Sequence, residues 1–174
     1  MALGTCGEPP APAVPYSKPM TLAPWEGEAA GWFDDAVDPS VLGVSLDGSS
    51  PAMEAALAPR TRAAELVARV AVATISRDGN GERTRYMLTV KVVPPTLKRR
   101  GLDGDVLELR VEESAPAYAT LSTYESAFRG ARLMLYARRF SGESGPVLHW
   151  HLGVDSAEVA TAIQLAKDLD AAEE

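Results

Sequence analysis

Apolar and polar residues alternate with a period of two over much of the chain after residue 63, and this pattern predicts a β-sheet. Residues 63–93 predict one long hairpin. Its first strand, 67–75, is apolar on both faces, as in a strand that is covered on two sides, and its second, 86–92, alternates. Asp-Gly and Asn-Gly at 78–81 suit the tight turn between them, and Pro94-Pro95 predicts the end of the ladder.

Three more strands are predicted at residues 105–112, 132–140 and 147–154. A helix that begins at an N-cap Ser114 separates the third strand from the fourth, and a C-terminal helix follows a cap at Asp155. Five strands with a helix between the third and fourth predict a mainly β (α+β) fold. The layout is that of a five-stranded OB-like barrel with a C-terminal helix.

Residues 1–58 form a different kind of segment, an acidic and proline-rich leader that we expect to be mostly extended, and residues 59–174 form the barrel domain. The leader contains eight acidic residues and one basic residue, so it accounts for the whole net charge of −7. An acidic leader beside a domain of balanced charge could fold back on that domain or serve an outside partner.

The start of the leader, residues 3–10 (LGTCGEPP), resembles the junction of a bacterial lipoprotein, in which an acylated cysteine precedes a proline-rich tether. The resemblance implies lipidation of Cys6 and a place in the cell envelope or periplasm. The membrane would then be reached only through the lipidated Cys6. The alternative is a plain thiol in a cytoplasmic protein.

A second resemblance concerns the barrel. Residues 63–154, with the strand segment 130–136 (GARLMLY), are similar to secreted bacterial modules with the OB-type fold of metalloproteinase-inhibitor domains. This resemblance implies an OB-type fold. The chain has one cysteine and so lacks the cysteines of the animal inhibitors, and inhibition is not carried over.

The motif His149-Trp150-His151 is the best candidate for a metal site. Alternate positions on a strand place both imidazoles on one face, where they could supply half of a zinc site. Asp155 or Cys6 would have to supply a third ligand through the fold. Otherwise the two histidines lie on the solvated face of an edge strand. Asp34, Asp35 and Asp38 could gather a cation, but no further ligand is near them in sequence.

Partner contacts are expected from large aromatic and basic residues. The aromatic candidates are in the leader, where such side chains need somewhere to dock: on the domain's own sheet or on a partner. The basic candidates are in two clusters that could line one face of the barrel. The residues are Trp25, Trp32, Phe33, Lys98, Arg99, Arg100, Arg138 and Arg139.

The chain contains no nucleophile elbow, phosphate-binding loop or dinucleotide fingerprint, and no cofactor is expected. The pI near 4.9 argues against a nucleic-acid partner, so a protein partner is expected. The sequence therefore predicts a non-enzymatic binding or assembly module of a bacterial cell envelope. The alternatives are a metal-binding protein or metal-dependent enzyme that uses His149 and His151, and a structural subunit whose leader wraps a neighbouring chain.

Overall fold

The computed structural model describes residues 21–43, 50–79 and 84–173 as a curled β-sheet with helices packed against it. The strands and helices, in chain order, are α1 (Gly27–Trp32), β1 (Ala36–Val37), α2 (Leu57–Ala63), β2 (Leu66–Gly79), β3 (Thr84–Arg99), β4 (Val106–Val111), α3 (Pro116–Phe128), β5 (Arg132–Gly142), β6 (Gly145–Val154) and α4 (Ala157–Glu173). Two short 3₁₀ turns, Pro39–Leu42 and Pro51–Met53, lie in the leader.

The six strands form one sheet in the order β1-β6-β5-β2-β3-β4. Strands β2 to β6 pair antiparallel, and they confirm the expected strands and the helix between the third and fourth. The expectation of five strands is wrong, because β1 pairs with β6 in parallel, through Ala36 opposite His151 and Val37 opposite Leu152. A strand of two residues is too short to show a period in the sequence.

The hairpin continues past Pro94-Pro95, so the prediction that these prolines end the ladder is wrong. Val67 pairs with Lys98 and Arg69 pairs with Val93, which leaves the prolines in an irregularity between two paired stretches. Proline has no N–H to donate, and a bulge lets the strand skip those positions and resume pairing. Lys98 and Arg99 therefore belong to β3, whereas Arg100 lies just beyond its end.

Both capping predictions miss by one residue. Ala115, not Ser114, is the N-cap of α3, and Pro116 occupies its first turn, where a proline is well tolerated. At α4 the Ser156 hydroxyl accepts a hydrogen bond from the N–H of Val159 at 3.1 Å. Asp155 instead forms an ion pair outside the helix.

The apolar side chains form two clusters. The larger contains Val70, Leu88, Leu109, Leu121 and Trp150 among others, and it includes residues of β2 to β6 and α3. The smaller includes Phe33 and side chains from α2 and the residue after it, β2, β5 and α4. These side chains are Leu57, Ala64, Val67, Met134, Tyr136, Phe140, Val159 and Ile163. Neighbouring residues of β2 and β5 belong to different clusters, because successive strand residues point to opposite faces. The prediction of a first strand covered on both faces holds only at the start of β2, because Val67 is its one residue in the smaller cluster and Ala73 and Thr74 are exposed.

The described part of the leader does not have the expected extended form. It contains helix α1 and strand β1, and the side chains of Phe33 and Leu57 are buried in the smaller cluster. The leader residues Ala36, Val37, Phe33 and Leu57 therefore pair with or pack against the curled sheet and its helices. Cys6 lies outside the described residues.

Candidate functional site

The leader runs parallel to β6 and forms backbone hydrogen bonds with it beside the two histidines. The N–H of Asp35 donates to the carbonyl of Trp150 at 2.9 Å, and the N–H of Asp38 donates to the carbonyl of Leu152 at 2.8 Å. This parallel pairing places Asp34 and Asp35 beside the two imidazoles. The interpretation of a solvated edge strand is wrong here, because β1 and its flanking residues cover β6.

His149 is held by contacts on several sides. Its Nδ1 lies 2.8 Å from Oδ2 of Asp35. The indole of Trp25 stacks on the imidazole with the ring centroids 3.8 Å apart, and the edge of Phe140 approaches it with a centroid distance of 5.8 Å. His149 thus contacts two leader residues, Asp35 and Trp25, and helps to hold the leader against β6.

His151 is more deeply buried and is differently arranged. Its Nδ1 lies 2.9 Å from Oδ1 of Asp34, and the residue is 6% exposed. Its Nε2 is buried and has no hydrogen-bond partner among the described residues. One ligand atom each of His151, Asp38 and Glu54 lie within 4.8 Å of one another. We call His151, Asp38 and Glu54 the histidine–carboxylate cluster.

The guanidinium of Arg60 holds one side of this cluster. It makes two hydrogen bonds to the Glu54 carboxylate, at 3.0 and 2.8 Å, and its Nε donates to the carbonyl of Trp32 at 2.9 Å. The same guanidinium lies 5.4 Å from the centroid of the Tyr136 ring. Arg60 is 3% exposed, so its charge acts in a medium that screens it weakly.

The charges in and beside the histidine–carboxylate cluster shift the pKa values of two neighbouring groups, Asp34 and Tyr136. Burial raises the pKa of Asp34, but the hydrogen bond and charge of His151 and the charge of Arg60 outweigh burial, and the net pKa lies below the ordinary 3.8. Burial also raises the pKa of Tyr136; Arg60 opposes this rise, and the carboxylates of Glu54 and Asp38 add to it. Three carboxylates thus lie around His151 and Tyr136.

The third ligands that the sequence suggested for the histidines are not found at this place. Oδ1 of Asp155 accepts from Nε of Arg69 at 2.8 Å, and Cys6 lies outside the described residues. The acidic run of the leader supplies Asp38 instead. Glu54 was missed entirely, because nothing in its sequence surroundings indicates that it folds against β6.

The three aromatic leader residues differ in their exposure. Phe33 is fully buried and its ring centroid lies 5.8 Å from that of Phe140, so its assignment to partner binding is wrong. Trp32 is half-buried. Trp25 is 41% exposed, and its Nε1 donates to the carbonyl of Phe33 at 2.8 Å. These residues dock on the domain's own sheet, which was one of the two expected uses.

The two basic clusters meet at one end of the sheet. Leu66 of β2 pairs with Arg99 on one side and with Ala137 on the other, so β3 and β5 bring their basic residues to the same end. A cleft of about 350 Å³ lies there between β3 and α4. Its lining comprises Leu97, Lys98, Arg99, Arg100, Lys167, Asp170 and Ala171, and we call it the basic cleft.

Like charges are concentrated around Lys98. Partial burial lowers the pKa of Lys98, and the charges of Arg100, Lys167 and Arg138 lower it further, while Asp170 alone opposes them. The Lys98 ammonium donates to the carbonyl of Thr61 at 2.9 Å. Such a cluster of cations with one carboxylate favours an anionic ligand.

Not every predicted basic residue belongs to this cluster of like charges. Arg99 pairs with Asp105 at 3.0 Å and Arg139 pairs with Glu65 at 2.9 Å. The hydrogen bond to Glu65 raises the pKa of Arg139. Lys167 of α4 was not predicted, because it is distant in sequence from the residues that it faces.

Comparison with known proteins assigns no family to this geometry. Protein-family models, curated proteins and solved structures give no match to the chain. Among the described helices, none has the length and apolar character that crossing a membrane requires.

Proposed function

We propose that this chain is a non-enzymatic binding or assembly module, an OB-like half-barrel that takes an acidic segment of a protein partner in the basic cleft. The observation that carries the proposal is the lining of the basic cleft, where the like charges of Lys98, Arg100 and Lys167 repel one another and Asp170 is the one carboxylate among the lining residues. Anionic side chains of a partner would offset this repulsion.

The strand order supports the OB-like part of the proposal. Strands β2 to β6 run in the order β6-β5-β2-β3-β4, with α3 between β4 and β5 in sequence. An OB-fold is a partly open, five-stranded barrel. Across the opening, Nε1 of Trp150 on β6 lies 3.4 Å from the carbonyl oxygen of Arg110 on β4.

The charge distribution favours a protein partner over a nucleic acid. The whole chain carries a net charge of −7, so a long polyphosphate would meet repulsion beyond the cleft. A short acidic segment can place its carboxylates against the local cluster alone. Arg100 is well placed to receive them, because it is exposed and has no ion-pair partner within the described part of the chain.

Replacing Arg100 with glutamate will weaken the binding of a fluorescent decaglutamate peptide about fivefold to tenfold, because reversing one exposed charge changes an interaction by about 1 kcal/mol. Fluorescence anisotropy at low and at physiological salt measures the effect. Added salt will weaken the binding by wild type, since the contacts are exposed.

Arg132→Glu is the matched control. Arg132 is exposed and pairs with Ala71, away from the basic cleft, and its reversal changes the net charge by the same amount. Equal losses in the two variants would show that net charge alone governs binding. A single-stranded oligonucleotide of matched charge that binds more tightly than the peptide would overturn the choice of a protein partner.

The cell envelope is part of this proposal through Cys6. Expression of the gene with its upstream DNA will yield a protein whose mass includes a diacylglycerol on Cys6, and intact-mass spectrometry of the membrane fraction measures it. The Cys6→Ser variant will lack the added mass. An unmodified Met1 or Ala2 start in the wild type would remove the envelope from the proposal and leave a cytoplasmic binding module.

A further inference from the structure

The donor atoms of the histidine–carboxylate cluster converge on one place beneath the leader. His151 comes from β6, Asp38 follows β1, and Glu54 follows the second 3₁₀ turn of the leader. One ligand atom of each lies within 4.8 Å of the other two. We propose that these three residues bind a divalent transition-metal cation, and that zinc is the ion that best suits them.

The imidazole of His151 is oriented for this role. Its Nδ1 is 2.9 Å from Oδ1 of Asp34, so the proton of a neutral ring belongs on Nδ1 and the lone pair on Nε2. A carboxylate that accepts from the second nitrogen of a metal-binding histidine fixes the tautomer and raises the basicity of the ligand. Asp34 is therefore a positioning residue for the site.

The second nitrogen of His151 needs a partner. The residue is 6% exposed, and Nε2 is buried without a hydrogen-bond partner among the described residues. A buried polar atom left in this state destabilises the folded chain. A bound metal ion would satisfy the Nε2 lone pair.

Both carboxylates keep lone pairs for a cation. Oδ1 of Asp38 accepts from the N–H and hydroxyl of Ser40, at 2.8 and 2.6 Å, which leaves Oδ2 for a metal. Each oxygen of Glu54 accepts one hydrogen bond from Arg60, and a carboxylate oxygen has a second lone pair. Arg60 thus holds Glu54 in a fixed position.

The balance of charge also suits a divalent cation. Asp34, Asp38 and Glu54 surround the site with three negative charges, and the Arg60 guanidinium offsets one of them. One imidazole nitrogen with two carboxylate oxygens is a donor set that zinc accepts, with a fourth position for water. His149 is not part of the site, because Asp35 and Trp25 hold its ring elsewhere.

The test uses the full chain, stripped of metal with a chelator and titrated with Zn²⁺ against a chromophoric competitor. Wild type is expected to bind one Zn²⁺ per chain. Asp38→Asn keeps an oxygen for Ser40 but loses the charged ligand, so its affinity falls at least about tenfold. Asp34→Asn weakens binding about 10–100-fold through the orientation of His151. At the same Zn²⁺ concentration, the melting temperature of wild type rises by more than that of Asp38→Asn.

Asp35→Asn is the matched control, since it alters the neighbouring carboxylate that contacts His149. It is expected to leave zinc affinity unchanged, and an equal loss in Asp35→Asn would overturn the assignment to His151. Equal zinc affinity in wild type, His151→Gln and Asp38→Asn would also overturn it. If His151→Gln fails to fold, Asp38→Asn and Glu54→Gln decide the question. Binding of Ca²⁺ or Mg²⁺ more tightly than Zn²⁺ would exclude an imidazole ligand and thus the proposed site.

Discussion

Phe33→Ala will lower the free energy of unfolding by about 3–5 kcal/mol, the usual cost of truncating a buried phenylalanine. Phe33 is fully buried against Phe140 in the smaller apolar cluster, which also includes Ile163 of α4. The truncation removes apolar area and leaves a cavity that a sheet and a helix cannot easily close. Equilibrium unfolding in urea, followed by far-ultraviolet circular dichroism, measures the loss.

The control for Phe33 is Trp25→Ala, in the same segment. Trp25 is 41% exposed and stacks on His149, so its truncation should cost far less, about 0.5–1.5 kcal/mol for the aromatic pair. If Phe33→Ala unfolds at the same urea concentration as wild type, the leader is not a structural part of the domain. The placement of β1 and of the histidine–carboxylate cluster would fall with it.

Trp150→Ala will have a cost of similar size, about 3–5 kcal/mol. Trp150 is fully buried in the larger cluster, and its Nε1 reaches the carbonyl of Arg110 across the opening between β6 and β4. Its loss therefore removes packing and also the one hydrogen bond that we find across this opening in the described residues. The urea midpoint and the near-ultraviolet circular dichroism of the tryptophans measure the effect.

Two further variants separate the contribution of packing from that of the hydrogen bond in the loss expected for Trp150→Ala. Val147→Ala, on the same strand and 42% exposed, should remain within about 0.5 kcal/mol of wild type. Trp150→Phe keeps most of the apolar bulk and removes the donor, so it should cost less than Trp150→Ala. A loss in Trp150→Phe as large as that in Trp150→Ala would mean that the hydrogen bond, rather than the packing, closes the sheet.

Strands β3 and β4 could be predicted because their burial repeats at every second residue over most of their length. In β4, for example, Leu107, Leu109 and Val111 are buried and Glu108 and Arg110 are exposed, as the alternation implies. The local rule failed at Pro94-Pro95, where pairing with β2 on both sides of the prolines outweighs the loss of their N–H groups. Tertiary pairing of this kind leaves no periodic signal.

The candidate site was only half visible in the sequence. Alternate spacing singled out His149 and His151 as a pair, but it predicted one shared environment for them, and the leader gives them two. His151 meets Asp38 and Glu54, whereas His149 meets Asp35 and Trp25. Contacts between residues so far apart in sequence depend on the path of the leader, which composition alone does not determine.

The short strand β1 has a consequence for how copies of this molecule behave toward one another. It occupies the edge of β6, a strand of ten residues whose backbone would otherwise present unpaired N–H and C=O groups. Such an edge is a template on which another chain can add a strand, and apolar edges of this kind lead to aggregation. Because Ala36 and Val37 pair with His151 and Leu152, part of this edge is already occupied, which shortens the stretch of β6 on which another chain could add a strand.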